Sequence, residues 1–471
     1  MPEPSFEFGM IGLGVMGRNL LLNMADHGFP VTGYDLDPAK ISALESSATP
    51  GTTAKGSTSL QAMMQSLKPP RRVMMLVPAG NPVDAVLADL VPLLEPGDIV
   101  IDGGNSHYTD TLRRVKQLQD KSIHFMGMGI SGGESGARTG PSIMPGGDPK
   151  AWQAVKPILE AVAAQVGGSP CVAYMGRGAA GHYVKMVHNG IEYAIMQLIS
   201  ETYLLLHQGG GLDNDRLSKI YSGWNQGPLK SFLLEITAEI FQKQDDLGTG
   251  RLVDRVSDKA GSKGTGKWTS QDAMDLPIPL QVIDTAVSMR DLSGFKDQRQ
   301  KAAALYPHKG EKIQTNSEWL EAMRQAFLFS TVISYAQGLS MLQVASRELG
   351  MDIPLQDVVR IWRGGCIIRS ELLDQFYPLF QKDPSLENIL LTQEIAKLLK
   401  EPEDALRNLV RTAAAAGYPV GGMMASLSYF DAFRLDPMPT NLIQAQRDYF
   451  GAHTYQRTDR PGTFHSQWGP N

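Results

Sequence analysis

Short apolar runs separated by polar stretches of helical length fill the first third of the chain. The runs are Phe6–Ile11, Val31–Tyr34, Val73–Val77, Ile99–Asp102 and Ile123–Met126. Strands covered on both faces read as such near-continuous apolar runs. Between them, Arg18–Gly28 and Asp110–Asp120 carry helical spacing. Strands alternating with helices predict a doubly wound α/β domain with a parallel sheet. The pattern fades near residue 178. From there long stretches of helical period take over, such as His182–Gln208 and Asn316–Leu349. The chain thus divides into an α/β domain over 1–178, an all-helical domain over 179–436 and a tail over 437–471.

A weak echo runs through the helical part. Tyr193-Ala194, Lys219–Gly223 and Lys230-Ser231 are answered about 140 residues later by Tyr335-Ala336, Arg360–Gly364 and Arg369-Ser370. An internal duplication and a chance likeness of two amphipathic stretches both fit. The tail from Thr454 is polar, with Pro461, Phe464 and Trp468 interspersed. It cannot build a core of its own. It is either disordered or docked on another surface, such as a second subunit.

Composition narrows the class. The 471 residues hold 44 Lys and Arg against 49 Asp and Glu, a net charge of -5. That is not the basic excess of a nucleic-acid binder. Two distant cysteines, Cys171 and Cys366, give no disulfide framework and fit a reducing compartment. Met1–Pro4 lacks the start of a signal peptide, and no run of about 18 apolar residues could span a membrane. A cytoplasmic protein is expected. No H-E-x-x-H or C-x-x-C occurs, so no metal site is expected.

The first glycine cluster carries chemistry. Gly12-Leu13-Gly14-Val15-Met16-Gly17 fits G-x-G-x-x-G between an apolar run and a helical segment. The glycines permit a tight turn, close approach of a pyrophosphate and close helix–strand packing, in a Rossmann-like domain. The helix N-terminus then offers free N–H groups to the phosphates. Asp35 ends the next strand, 23 residues after Gly12, where a carboxylate accepts hydrogen bonds from an adenine ribose. With Leu36 and Asp37 following and no Arg, a 2′-phosphate is repelled, so NAD is expected over NADP. Lys40 is the nearby cation that could soften this preference. Gly261–Lys267 imitates a phosphate-binding P-loop, but Trp268 stands where Ser or Thr should hold Mg²⁺ and no apolar strand precedes it.

A second cluster lies on one predicted helix. Lys185, His188, Asn189 and Glu192 fall at i, i+3, i+4 and i+7, on one face. Such a stripe is either a solvated side or the wall of a site. In a site, a lysine of depressed pKa takes a proton from a hydroxyl while hydride leaves. A carboxylic acid about 10.5 Å further along the axis can protonate another carbon of the same extended substrate.

At these residues the chain resembles the 6-phosphogluconate dehydrogenase family, the decarboxylating enzymes of the pentose phosphate pathway. The resemblance includes Ile101–Ser106, Ile130–Arg138, Gly140–Gly147, Lys185–Glu192, Lys263–Trp268 and Gln444–His453. It implies Lys185 as the base at the 3-hydroxyl and Glu192 as the acid that protonates C1. It implies substrate contacts from Asn105, Ser131, Gly132, Gly133, His188, Asn189 and Tyr193, and phosphate contacts from Lys263, Arg290, Arg447 and His453. The last two come from the partner in a homodimer. Gly12 to Gly17, Asp35 to Asp37, Val77, Pro78, Ala79 and Asn105 are the implied dinucleotide contacts.

The chain departs from the family pattern near the cofactor. Gly14 stands for the usual Ala, Asp35-Leu36-Asp37 for Asn-Arg-Thr, and Pro78 for a lysine. Each of the last two changes removes positive charge or adds negative charge where a 2′-phosphate would sit, which agrees with NAD. Two other readings remain. A related β-hydroxyacid dehydrogenase is shorter and would lack the second helical unit, the Lys263–Trp268 loop and the tail. A dinucleotide-binding protein without catalysis would not need both Lys185 and Glu192.

Overall fold

The structure is a computed structural model that describes residues 5–307 and 310–469. Met1–Pro4 and the last two residues of the tail lie outside the described residues.

Seven strands form one sheet: β1 Phe8–Ile11, β2 Val31–Tyr34, β3 Ala54–Gly56, β4 Arg72–Met75, β5 Ile99–Asp102, β6 His124–Ser131 and β7 Ser142–Gly147. Their order is β3-β2-β1-β4-β5-β6-β7. The first six run parallel in the Rossmann order, and β1 lies between β2 and β4. The direction of winding reverses there, which opens a crevice at the carboxyl ends of the strands. To the parallel sheet that the sequence predicts, the structure adds β7, which pairs antiparallel with β6. The connection over 132–141 is shorter than the roughly dozen residues that a parallel crossover needs.

From Ala180 the described residues form helices and their connections, apart from the short tail hairpin. Asp213, Ser231, Asn316 and Thr392 each cap a helix by accepting a backbone N–H two or three residues inside it. Two long helices, Ala180–Leu204 and Ser317–Glu348, form the centre of this part. They cross closely enough that a Cβ at Gly338 would lie 2.5 Å from Ile191. Ser317–Glu348 is long and apolar enough to cross a membrane, but 83% of its apolar window is buried inside the protein, so it is a core helix. The echo segments meet at an antiparallel bridge between Ser231 and Ser370. There Phe232 N donates to Arg369 O at 3.2 Å and Glu371 N to Lys230 O at 2.9 Å.

The tail is ordered rather than coil. A helix, Thr440–Gly451, is followed by a small hairpin of Tyr455–Gln456 and Thr463–Phe464. Both fold around the buried carboxylate of Asp448. It accepts from Thr454 N, His465 Nδ1, Ser466 N and Trp468 Nε1 at 2.8–3.0 Å.

Candidate active site

The three glycines of the first turn have separate causes. Gly12 has φ +94°, and a Cβ there would lie 2.5 Å from Leu76 O. A Cβ at Gly17 would collide with Gly12 O, so the helix needs this glycine to leave β1. A Cβ at Gly14 would meet no protein atom within 4 Å. Nothing in the protein demands glycine at 14; the open space there leaves room for a pyrophosphate to approach the helix N-terminus at Val15. The residues therefore fit a dinucleotide.

Asp35 does more than end β2. Its Oδ2 accepts from Leu13 N at 2.8 Å and its Oδ1 from Asp37 N at 2.9 Å, so it braces the glycine turn. Lys40 Nζ stands 3.3 Å from Oδ1. Burial would raise this carboxyl's pKa. The N–H groups of Asp37 and Leu13, with Lys40, outweigh burial and hold it below the usual value. Leu36 is 90% exposed, and Asp37 caps the next helix through Ala39 N. Val77 flanks both glycine turns, 3.0 Å from a Cβ at Gly12 and 3.1 Å from one at Gly104. Pro78 and Ala79 are exposed at the crevice.

The loop carrying Asn105 is set from below. Asp102 accepts from Gly104 N at 3.0 Å and from Ser106 Oγ at 2.6 Å. The wholly buried Arg114 then bonds Asp102, Ser106, Asp84 and the carbonyl of Gly80 at 2.8–3.3 Å. One guanidinium thus joins the loops that follow β4 and β5.

The Ala180–Leu204 helix lies directly on β6 and β7. A Cβ at Gly129 would collide with Lys185 Cβ, one at Gly127 would lie 2.8 Å from His182, and one at Gly146 would strike Gly181. The polar stripe is consequently no solvated face. Lys185 is 6% exposed, His188 is wholly buried, and Glu192 keeps a fifth of its side chain exposed. Burial pushes Lys185 down from 10.5 against the pull of Glu192. Burial pushes Glu192 up from 4.5 against Lys185 and Arg290. His188 is driven well below 6.5 by burial and then by the charge of Lys185, so the ring is neutral.

Lys185 and Glu192 open on one cleft with Asn105, Gly132, Gly133 and Met16. Ser131 also lines it, and its hydroxyl lies 3.3 Å from His188 Nε2. Tyr193 and Arg290 stack at 3.6 Å, guanidinium over ring, and both line the cleft, as does Lys263. Asn189 donates to Thr265 Oγ1 at 3.1 Å. The helix Thr265–Asp275 opens at Gly264, φ +95°, with no strand before it. Arg447 and His453 do not line the cleft within the chain; both are exposed on the tail.

Three contributors were missed from sequence. Thr265 holds Asn189, Ile367 N donates to Ser131 Oγ at 3.4 Å, and Trp362 meets the His188 ring edge-on at 5.5 Å. Trp362 lies within the second echo segment and Ile367 between its two parts, which was the available signal.

Comparison with known proteins agrees with this layout. The NAD binding domain of 6-phosphogluconate dehydrogenase matches residues 7–176, and the 6-phosphogluconate dehydrogenase C-terminal domain matches residues 181–468. The chain belongs to the 6-phosphogluconate dehydrogenase family. Within it, the NADP(+)-dependent, decarboxylating 6-phosphogluconate dehydrogenase of Bacillus subtilis is 47% identical, over 98% of this chain and 99% of that one. The decarboxylating enzyme of Synechococcus elongatus is 48% identical over 98% and 99%. The Plasmodium falciparum 6-phosphogluconate dehydrogenase superposes with a TM-score of 0.94 at 41% identity, over 98% of this chain and all of that one. That protein was solved in its apo form and in complex with NADP+ and with 6-phosphogluconate.

Proposed function

We propose that the chain oxidises and decarboxylates 6-phospho-D-gluconate to D-ribulose 5-phosphate and CO₂, with NAD preferred over NADP. The observation that carries the reaction is the pairing of Lys185 and Glu192 on one cleft, with pKa values displaced toward each other by burial. The bound dinucleotide supplies the hydride acceptor for C3. Lys185, as the free amine, takes the proton of the 3-hydroxyl. The resulting ammonium returns that proton to the 3-keto oxygen as the carboxylate leaves as CO₂. Glu192, whose pKa burial raises, gives its proton to C1 of the enediol while the Lys185 amine takes back the proton of the 2-hydroxyl, which leaves the 2-ketone. Neutral His188 sits between Ser131 and Asn189 and keeps charge off this wall. Lys263 and Arg290 supply cations for the phosphate end.

The preference for NAD rests on Asp35, Leu36 and Asp37. An ionised Asp35 with no arginine beside it disfavours a second phosphate on the ribose. The Bacillus subtilis relative is named NADP(+)-dependent, so the preference belongs to this chain's own residues. The chain acts as a homodimer in which Arg447 and His453 complete the partner's site. Leu442, Ile443, Tyr449 and Phe450 are 55–73% exposed on the tail helix, an apolar surface suited to a second subunit. Two free, buried cysteines fit a reducing, cytoplasmic setting.

Initial rates with 6-phosphogluconate, titrating NAD and NADP in parallel, test the reading. A higher kcat/KM with NAD supports it. A higher value with NADP overturns the reading of residues 35–37, and no turnover with either overturns the reaction.

A further inference from the structure

A buried cluster joins the two halves of the chain beside the cleft. Tyr108 opens the helix Tyr108–Gln119, three residues after Asn105. Its hydroxyl donates to Oδ1 of Asp272 at 2.5 Å. Tyr183, two residues before Lys185, donates to Oδ2 of the same carboxylate. The two phenols meet edge-on with ring centroids 5.0 Å apart. Asp272 is 7% exposed and Tyr183 wholly buried.

Asp272 sits on the Thr265–Asp275 helix, whose first residue, Thr265, lines the cleft. Thr265 holds Asn189, and Thr269 Oγ1 donates to Met186 O at 2.9 Å. Lys263 lies two residues before the helix. His107 stacks on Tyr108 at 5.1 Å and meets Trp268 edge-on at 5.0 Å. The Asn105 loop, the Lys263 loop and the Lys185 helix therefore share one carboxylate.

We propose that Asp272 is a positioning residue that couples dinucleotide occupancy to the grip on substrate. A dinucleotide that orders the Asn105 loop fixes Tyr108. Tyr108 then fixes Asp272, and with it the helix that presents Lys263. Losing a hydrogen bond to a buried carboxyl group leaves an acceptor oxygen unsatisfied at a cost larger than the bond's own net contribution. By linkage, substrate must tighten dinucleotide binding by the same factor.

The proposal rests on 6-phosphogluconate as the substrate. Tyr108→Phe and Asp272→Asn, made in the full chain, test it by calorimetry. The affinity for 6-phosphogluconate is measured with and without NADH, which occupies the dinucleotide site but accepts no hydride, so that nothing turns over; kcat and Tm are measured separately. In Tyr108→Phe the affinity with NADH present should fall about tenfold. The factor by which NADH tightens substrate should fall toward one, while kcat at saturation changes far less. Asp272→Asn keeps the shape but replaces one of the two acceptor oxygens with a donor, and should show the same loss. A wild-type protein that ignores 6-phosphogluconate sinks the substrate reading and this coupling with it. A wild-type protein that binds it, with the coupling factor unchanged in both variants, sinks the coupling alone, whatever happens to Tm.

Discussion

Lys185 Nζ lies 3.4 Å from Nδ1 of His188, inside a wall that solvent barely reaches. A neutral imidazole there adds no positive charge against which the lysine would have to titrate. Lys185 and Glu192 are thus shifted mainly by burial, in opposite directions.

The pH profile follows with a definite sign. Lys185 must be unprotonated, and burial lowers its pKa from 10.5, so activity falls when acid protonates it. Glu192 must be protonated, and burial raises its pKa from 4.5, so activity falls when alkali ionises it. A bell-shaped kcat/KM profile is expected. Glu192→Gln should lower kcat by roughly 10²–10⁴ and remove the alkaline limb. Lys185→Met should lose a similar factor and the acid limb. A Glu192→Gln profile that keeps its alkaline limb would contradict the assignment.

Cofactor choice should move with two residues. Asp35→Asn with Leu36→Arg should lower the NAD to NADP ratio of kcat/KM by about tenfold or more, and Asn can still accept from Leu13 N. Lys40→Ala should move the ratio the other way, because it removes the cation that lies 3.3 Å from Asp35. Unchanged ratios in parallel titrations would remove Asp35 from the account.

The tail can be tested by complementation. Lys185→Met and Arg447→Ala chains should each be weak alone. Mixed one to one and allowed to exchange subunits, they should recover about a quarter of wild-type activity, because one intact site forms in each mixed dimer. No recovery, despite exchange seen by mass spectrometry, would place Arg447 outside the partner's site.

Arg114 should matter for stability as much as for binding. Arg114→Met leaves Asp102 and part of Asp84 without their buried cation, at a cost of about 3–5 kcal/mol in denaturant unfolding. Surviving protein should show a raised KM for the dinucleotide, since the loops after β4 and β5 lose their tie. A loss below about 1 kcal/mol would show that the pair is dispensable.

Much of this was legible in the chain. The apolar runs at Val31–Tyr34 and Ile99–Asp102 are strands with those bounds, because both are buried in the sheet and end at polar residues. β7 was not legible. Its Ser142–Gly147 is rich in glycine and proline, and only pairing with β6 makes it a strand. The i, i+3, i+4, i+7 stripe was visible, but not that it would be buried. That depends on Gly127, Gly129 and Gly146, far away in sequence, whose missing side chains admit the helix. The order in the tail was hidden for a related reason. Asp448 gathers donors from residues 454, 465, 466 and 468, and no local pattern announces it.

The most direct test runs 6-phosphogluconate with NAD in D₂O, following CO₂, reduced dinucleotide and the product's NMR spectrum together. Equal amounts of CO₂ and NADH are expected, with a single deuterium at C1 of ribulose 5-phosphate delivered from Glu192. NADH formed without CO₂, or an undeuterated C1, would contradict it.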